Sequence, residues 1–303
     1  MTSDALLPVL LPLGLSPLLL GVVNRTKAMV AGRAGQPLLQ PYFDLAKLLR
    51  KAPVYSRTTT WVFRAGPIVG LAALLLATTL VPFGAGPAPM AFSGDLILFA
   101  YLLGLLRLFT VLAALDTGSS FEGMGASREV TFSALAEPAL LLALAALAHR
   151  TGSLSLSAMY ASLDASAWVH VGPALAMLTG GLLIVFLAEN ARIPIDDPTT
   201  HLELTMIHEV MVLDHGGPDL AFILYGAALK LWLLGALLVG VVVPLHGGPW
   251  WIDTAAALSG MLGLAIVTGL IESSMARWRL VRVPQLLIGA GVLSALAFVL
   301  VLQ

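Results

Sequence analysis

An all-α, polytopic membrane protein is the fold class that this sequence predicts, and three observations predict it. Of its 303 residues 58% are hydrophobic and only 11% charged, where a soluble chain carries about a quarter charged residues. Its mean hydropathy is +0.94. Eight apolar segments also approach the roughly 20 residues that a bilayer-spanning helix needs. They lie at roughly 5–23, 65–83, 95–115, 131–149, 169–188, 220–244, 254–274 and 285–302.

The first segment lacks a basic leader and continues past Pro8, Pro12 and Pro17 into a basic loop, so it reads as a span rather than a cleaved signal. Basic residues set the expected orientation. The first loop holds Arg25, Lys27, Arg33, Lys47, Arg50, Lys51, Arg57 and Arg64, and the later odd-numbered loops add Arg128, Arg192, Arg277, Arg279 and Arg282. The even-numbered loops hold only Arg150. By the positive-inside rule the odd loops face the cytoplasm and both termini face the outer side of the cell (inner, plasma) membrane. No repeat and no separate soluble stretch appears, so residues 1–303 read as a single integral-membrane domain. The chain has no cysteine. That excludes, within it, thiolate-bound iron–sulfur clusters, cysteine-attached haem, cysteine zinc sites and disulfides.

The loops on the basic side carry the detail. Between Pro37 and Lys51 apolar residues alternate with Gln40, Asp44, Lys47, Arg50 and Lys51 as on an amphipathic helix, expected to lie in the interface plane. The second such loop, Asp116–Val130, is rich in glycine and carries Asp116, Glu122, Arg128 and Glu129. It lacks the Gly-Lys-Ser/Thr ending of a phosphate loop. In the fourth span Glu137 precedes Pro138, a residue that removes a backbone hydrogen bond and is able to kink the helix. A carboxylate in hydrocarbon pairs, neutralises or touches water, and Arg107 and Lys230, also inside spans, are the available partners. Structural pairing and proton transfer are both compatible with that set.

The densest stretch is Leu187–Glu209, which places three glutamates, two aspartates, an arginine and two histidines just after the fifth span. Pro194 and Pro198 keep the chain irregular, and helix is expected to restart near Thr199 or Thr200 and to end at Gly216-Gly217-Pro218. Thr200-His-Leu-Glu203 fits a capping box. His201 and His208 lie two turns apart with Glu209 alongside, and Val212 stands where a zinc-binding HExxH helix needs its second histidine. No nucleophile elbow of the G-x-S-x-G kind appears. Carboxylates and histidines running from a membrane edge into a bilayer are what proton transfer needs, since partial burial brings carboxyl pKa values towards neutrality.

These motifs resemble a known family. Gly35–Lys51, Leu115–Glu129, Glu189–Glu209 and Ile271–Pro284 are similar to the corresponding stretches of the membrane-anchor subunit shared by respiratory complex I and the energy-converting membrane-bound nickel–iron hydrogenases, in particular its formate hydrogenlyase branch. Glu189, Arg192, Pro194 and Asp196 match the Glu-x-x-Arg-x-Pro-x-Asp motif of the complex I branch, Glu137 its fourth-span glutamate, and Glu203 the last glutamate of its acidic loop. Asp197-Pro-Thr-Thr-His-Leu-Glu203, with Thr-His-Leu-Glu-Leu-Thr-Met-Ile-His-Glu209, is more like the hydrogenase branch.

The resemblance implies a non-catalytic membrane subunit without a metal or cofactor of its own, linking electron transfer to proton or cation translocation. Fe-S clusters and the NiFe centre would belong to hydrogenase large and small subunits docked on the cytoplasmic face. Antiporter-like membrane subunits and the lipid bilayer would be the other neighbours, with no nucleic acid. Glu137, Glu203 and Glu209, with Arg107, Lys230, His201 and His208, are the expected proton path. Asp44, Lys47, Asp116, Glu122, Arg128, Glu129, Glu189, Arg192, Asp196 and Asp197 are the expected junction with the peripheral arm. Two alternatives stand beside this reading. One is the quinone-site subunit of a complex I-like NADH or ferredoxin dehydrogenase. The other is a stand-alone secondary ion transporter with its site at Glu137 and Lys230, against which the missing inverted repeat argues.

Overall fold

A computed structural model describes residues 7–84, 86–196, 206–243 and 249–302. Ten α-helices form among them: α1 (Leu7–Val30), α2 (Gln40–Leu49), α3 (Trp61–Thr78), α4 (Asp95–Asp116), α5 (Ser120–Thr151), α6 (Leu156–Ala161), α7 (Ala165–Glu189), α8 (Gly217–Val242), α9 (Trp250–Ser274) and α10 (Val283–Val301). All but α2 and α6 are long and apolar enough to cross a membrane, so the protein is an integral membrane protein. The spans form three neighbouring groups. α10 packs along α5 and α7, α3 along α4, and α1 along α9, while α8 touches α1, α3, α7 and α9 and is the most enclosed.

Lipid tails are as apolar as leucine, so helices in a bilayer approach where small residues let backbones meet. Gly66 of α3 sits against Ala113 and the Phe109 carbonyl of α4, and Gly181 of α7 against Ser294 and the Ala290 carbonyl of α10. Gly269 of α9 faces Thr26 and the Val23 carbonyl of α1, where an added Cβ would come to 2.7 Å from Thr26 Cβ. Prolines inside spans are accommodated individually. Pro17 cannot donate to the Leu13 carbonyl one turn back, and the Tyr225 hydroxyl donates to that carbonyl instead, at 2.8 Å. α7 is kinked at Val171, just before Pro173, whereas α5 stays helical through Pro138 and shows no kink there.

Three boundaries differ from the sequence expectation. α1 runs to Val30 through Arg25 and Lys27, because Lys27 finds an acidic partner on α9. The second basic-side loop shrinks to Thr117–Ser119, since α5 begins at Ser120 and its first turns pack against residues 207–212. The helix expected to run to Gly216 is not continuous: residues 206–216 hold only a 3-10 turn at Glu209–Val212. The segment is fastened by tertiary bonds instead, from Arg128 to the Met206 carbonyl and from Ile207 and His208 N–H to Asp196. The amphipathic stretch does form a helix, α2. The Tyr42 hydroxyl donates to the Gly14 carbonyl at 2.5 Å, tying α2 to the middle of α1, and burial there raises the Tyr42 pKa.

Candidate functional site: a buried charge cluster beside a cavity

At mid-bundle four spans bring five ionisable side chains together. Arg107 of α4 is the hub. Its guanidinium donates to Glu189 of α7 at 2.5 Å, to Glu129 of α5 at 3.4 Å, and to Glu137 of α5. Lys230 of α8 lies 2.8 Å from the other Glu189 oxygen. Arginine suits the hub because its five donors reach several carboxylates at once and its charge is permanent. Three carboxylates against two cations leave one formal negative charge among these five side chains. The acids differ in access: the Glu189 side chain is 4% exposed and that of Glu137 47%. Glu137, expected within hydrocarbon, therefore stands on the outer surface of this chain with one arm in the cluster.

A cavity of about 90 Å³ opens beside it. Its walls are apolar residues of α3, α4 and α8, such as Pro67, Leu71 and Phe222, and Arg107, Glu129, Glu189 and Lys230 line it together with His208 and His215. A second, smaller cavity touches Glu129 and Glu189 from the other side and reaches Asp196. The two glutamates stand between the two spaces.

A second network lies at the loop-rich end. Glu272 of α9, whose side chain is fully enclosed, is 2.8 Å from Lys27 of α1 and 3.3 Å from Arg192. Arg277 pairs with Asp196 at 3.0 Å, and Trp278 N–H donates to the Pro194 carbonyl. Arg192 is delivered by a turn in which Ala191 has the left-handed φ of 49°.

The expected site residues separate on this frame. Arg107 pairs with Glu137, Lys230 joins the same cluster through Glu189, and His208 lines the cavity beside them. Glu129 and Glu189, expected at the arm junction, pair with Arg107 in the same cluster. Glu209 makes no contact with the cluster and does not line its cavity. Arg192 and Asp196 belong to the second network. Asp116 is occupied as a cap, accepting from Thr60 and Phe63 N–H at the start of α3. Glu122 accepts from Asp214 N–H at 3.2 Å. Asp44 and Lys47 are exposed on α2, with Gln40 donating to Asp44. Asp197, His201 and Glu203 lie outside the described residues. The sequence singled out neither Glu272 nor His215 as a site residue, and Lys27 only as one of the basic residues that set the orientation. An ionisable residue at the end of a predicted span was the available signal for Glu272. None existed for His215, which lies in a loop. Among the described residues no group of three or more His, Asp or Glu is placed to hold a metal ion.

Comparison with known proteins agrees with this architecture. The family described as NADH dehydrogenase matches residues 5–303. Hydrogenase-4 component C of Escherichia coli (strain K12) is 31% identical over 97% of this chain and 94% of its own length. Formate hydrogenlyase subunit 4 of the same organism is 32% identical over 97% of this chain and 96% of its own. A chain in the structure of the membrane-bound sulfane sulfur reductase, an archaeal respiratory membrane complex, superposes with a TM-score of 0.82 over 98% of both chains at 20% identity, which speaks to the fold. The motifs, the eight spans and these near full-length matches place this chain in the NADH dehydrogenase family.

Proposed function

We propose that this chain is the membrane-anchor subunit of a hydrogenase-type redox complex of the formate hydrogenlyase kind, linking electron transfer to proton or cation translocation. The observation that carries the reading is the Arg107–Glu189–Lys230 core with Glu129 and Glu137, set between two cavities. Buried ionisable groups in a membrane protein are costly and mark ion or proton paths. Each proton gained or lost there changes the balance of a cluster that spans four helices, so charge and packing are coupled. The face carrying α2, the Glu272 network and the basic loops is the docking face for a peripheral electron-transfer arm, with Fe-S clusters and a NiFe centre in partner subunits. That face is cytoplasmic and both termini lie outside, by the distribution of basic residues. Glu137, half exposed, faces the next membrane subunit.

The quinone-site alternative is weakened by size. The cavity of about 90 Å³ is well below the roughly 300–1,000 Å³ of small-molecule pockets. It suits a short run of waters, each needing about 10–15 Å³ of such volume. A tagged purification from membranes in mild detergent, followed by metal analysis, tests the assignment. Nickel and iron co-purifying with a large soluble subunit is the expected result. Iron without nickel, together with inhibition by quinone-site blockers, would move the chain to the dehydrogenase alternative. A metal-free single chain that transports ions in liposomes would make it a transporter.

A further inference from the structure

We infer that His215 is a proton-transfer residue at the mouth of the cavity, passing protons between the aqueous face beside Asp214 and the Glu189 cluster. This rests on the proton-path reading above and adds an entry to it. His215 is 6% exposed and lines the same cavity as Arg107, Glu129, Glu189 and Lys230. Its ring stacks flat on Phe63, with centroids 3.9 Å apart and planes 8° from parallel. Phe63 is itself buried, and its backbone is fixed by Asp116. The ring is therefore held in place, yet its buried Nδ1 makes no hydrogen bond. A histidine kept only for packing is better served by a carbon ring, since a buried polar atom without a partner is unfavourable. The open nitrogen makes sense where a proton has to come and go.

The charged groups around it fit that use. Asp214, its exposed neighbour, and the buried Asp219 at the start of α8 act on the ring from the loop side and favour its charged form. From the segment before α3, Tyr55 lies beside Asp219 with Arg64 stacked on its ring at 4.3 Å. From α5, Glu122 accepts from Asp214 N–H and fixes that turn. From α4, Asp116 is fully engaged at the start of α3. On the inner side His208 shares the cavity. Burial lowers the His215 pKa and the two aspartates oppose it. The transfer is balanced without turning the ring: a proton from the aqueous side binds the open Nδ1 to give the imidazolium, and the same nitrogen releases it to water on the cavity side, so the tautomer is unchanged.

The test uses inverted membrane vesicles carrying the assembled complex, with proton uptake followed by a pH-sensitive dye during formate oxidation. His215→Phe keeps the stack on Phe63 and removes the proton carrier. It is expected to assemble and to slow uptake by about a hundredfold, the usual weight of a positioned acid–base group. His215→Gly is expected to be equally slow and to regain uptake when imidazole is added. Wild-type uptake in His215→Phe, or no response of His215→Gly to imidazole, overturns the inference. Glu189→Gln is the companion variant. If it stops uptake while His215→Phe does not, only the role of His215 fails; if neither variant affects uptake, the proton-path reading itself fails.

Discussion

Glu189 and Glu272 are both buried carboxylates, and each lies close to two cations. Glu189 holds Arg107 and Lys230; Glu272 holds Lys27 and Arg192. Their surroundings differ. Glu189 touches two cavities and shares its arginine with two further glutamates, whereas Glu272 lines none of the described cavities and joins α1, α9 and the turn after α7. The Glu272 carboxylate is itself enclosed and serves as a fastening, although its partner Arg192 lines the first cavity and Lys27 is partly exposed. A buried set with surplus negative charge and room for water is able to change protonation. Pairing alone does not distinguish them; access does.

The largest expected effect tests the fastening. Glu272→Gln leaves Lys27 and Arg192 without their counter-charge, and breaking a buried pair this way destabilises by about 3–5 kcal/mol. Thermal unfolding in detergent should show a clear fall for this variant, and an unchanged midpoint would remove the contrast. Glu189→Gln is expected to cost less, about 1–3 kcal/mol. Arg107 keeps Glu129 and Glu137 as counter-charges, and Lys230 stays beside the cavity. That variant should instead lose proton uptake in assembled vesicles. Glu137→Gln should move stability by under about 1 kcal/mol, because its side chain is half exposed, yet it should impair ion coupling. Unchanged pumping in an assembled Glu137→Gln complex would confine the path to the enclosed acids.

The acid side of the stability curve sharpens the comparison further. Burial lowers the native His215 pKa below its ordinary value of 6.5. In the window between the native and the unfolded value the unfolded chain binds more protons, so stability rises with pH and is lost as pH falls through it. Unfolding midpoints of wild type and His215→Phe, compared from pH 7.5 down to about 5, should draw apart on acidification, wild type falling while the variant holds. Parallel curves would show that the ring is not desolvated. The smallest effect is at Ala191, whose left-handed backbone favours glycine. Ala191→Gly should stabilise by up to about 1 kcal/mol without altering the ion pairs of Arg192, a shift readable in the same melts.

Much of this molecule was legible in one dimension. A bilayer admits few solutions for a long apolar segment, since every backbone polar group must be satisfied internally, so eight spans followed from length and hydropathy alone. The same cost of burying charge marked Arg107, Glu137 and Lys230 as a set, because an ionisable residue inside a span is a rare event that a linear scan detects. The limits of α5 were not legible: Gly123 and Gly125 read as loop residues, but Gly125 is where α5 admits the close approach of residues 207–212. The pairing of Glu129 and Glu189 with Arg107, the fastening at Glu272 and the stack of His215 on Phe63 were decided only by the tertiary structure. They join positions 22 to 245 residues apart, as in Arg107–Glu129 and Lys27–Glu272. Hydropathy determines which segments enter the membrane, but which charge meets which depends on the rotation and depth of packed helices. Those are set by side-chain shape at the crossings, which a hydropathy pattern does not encode.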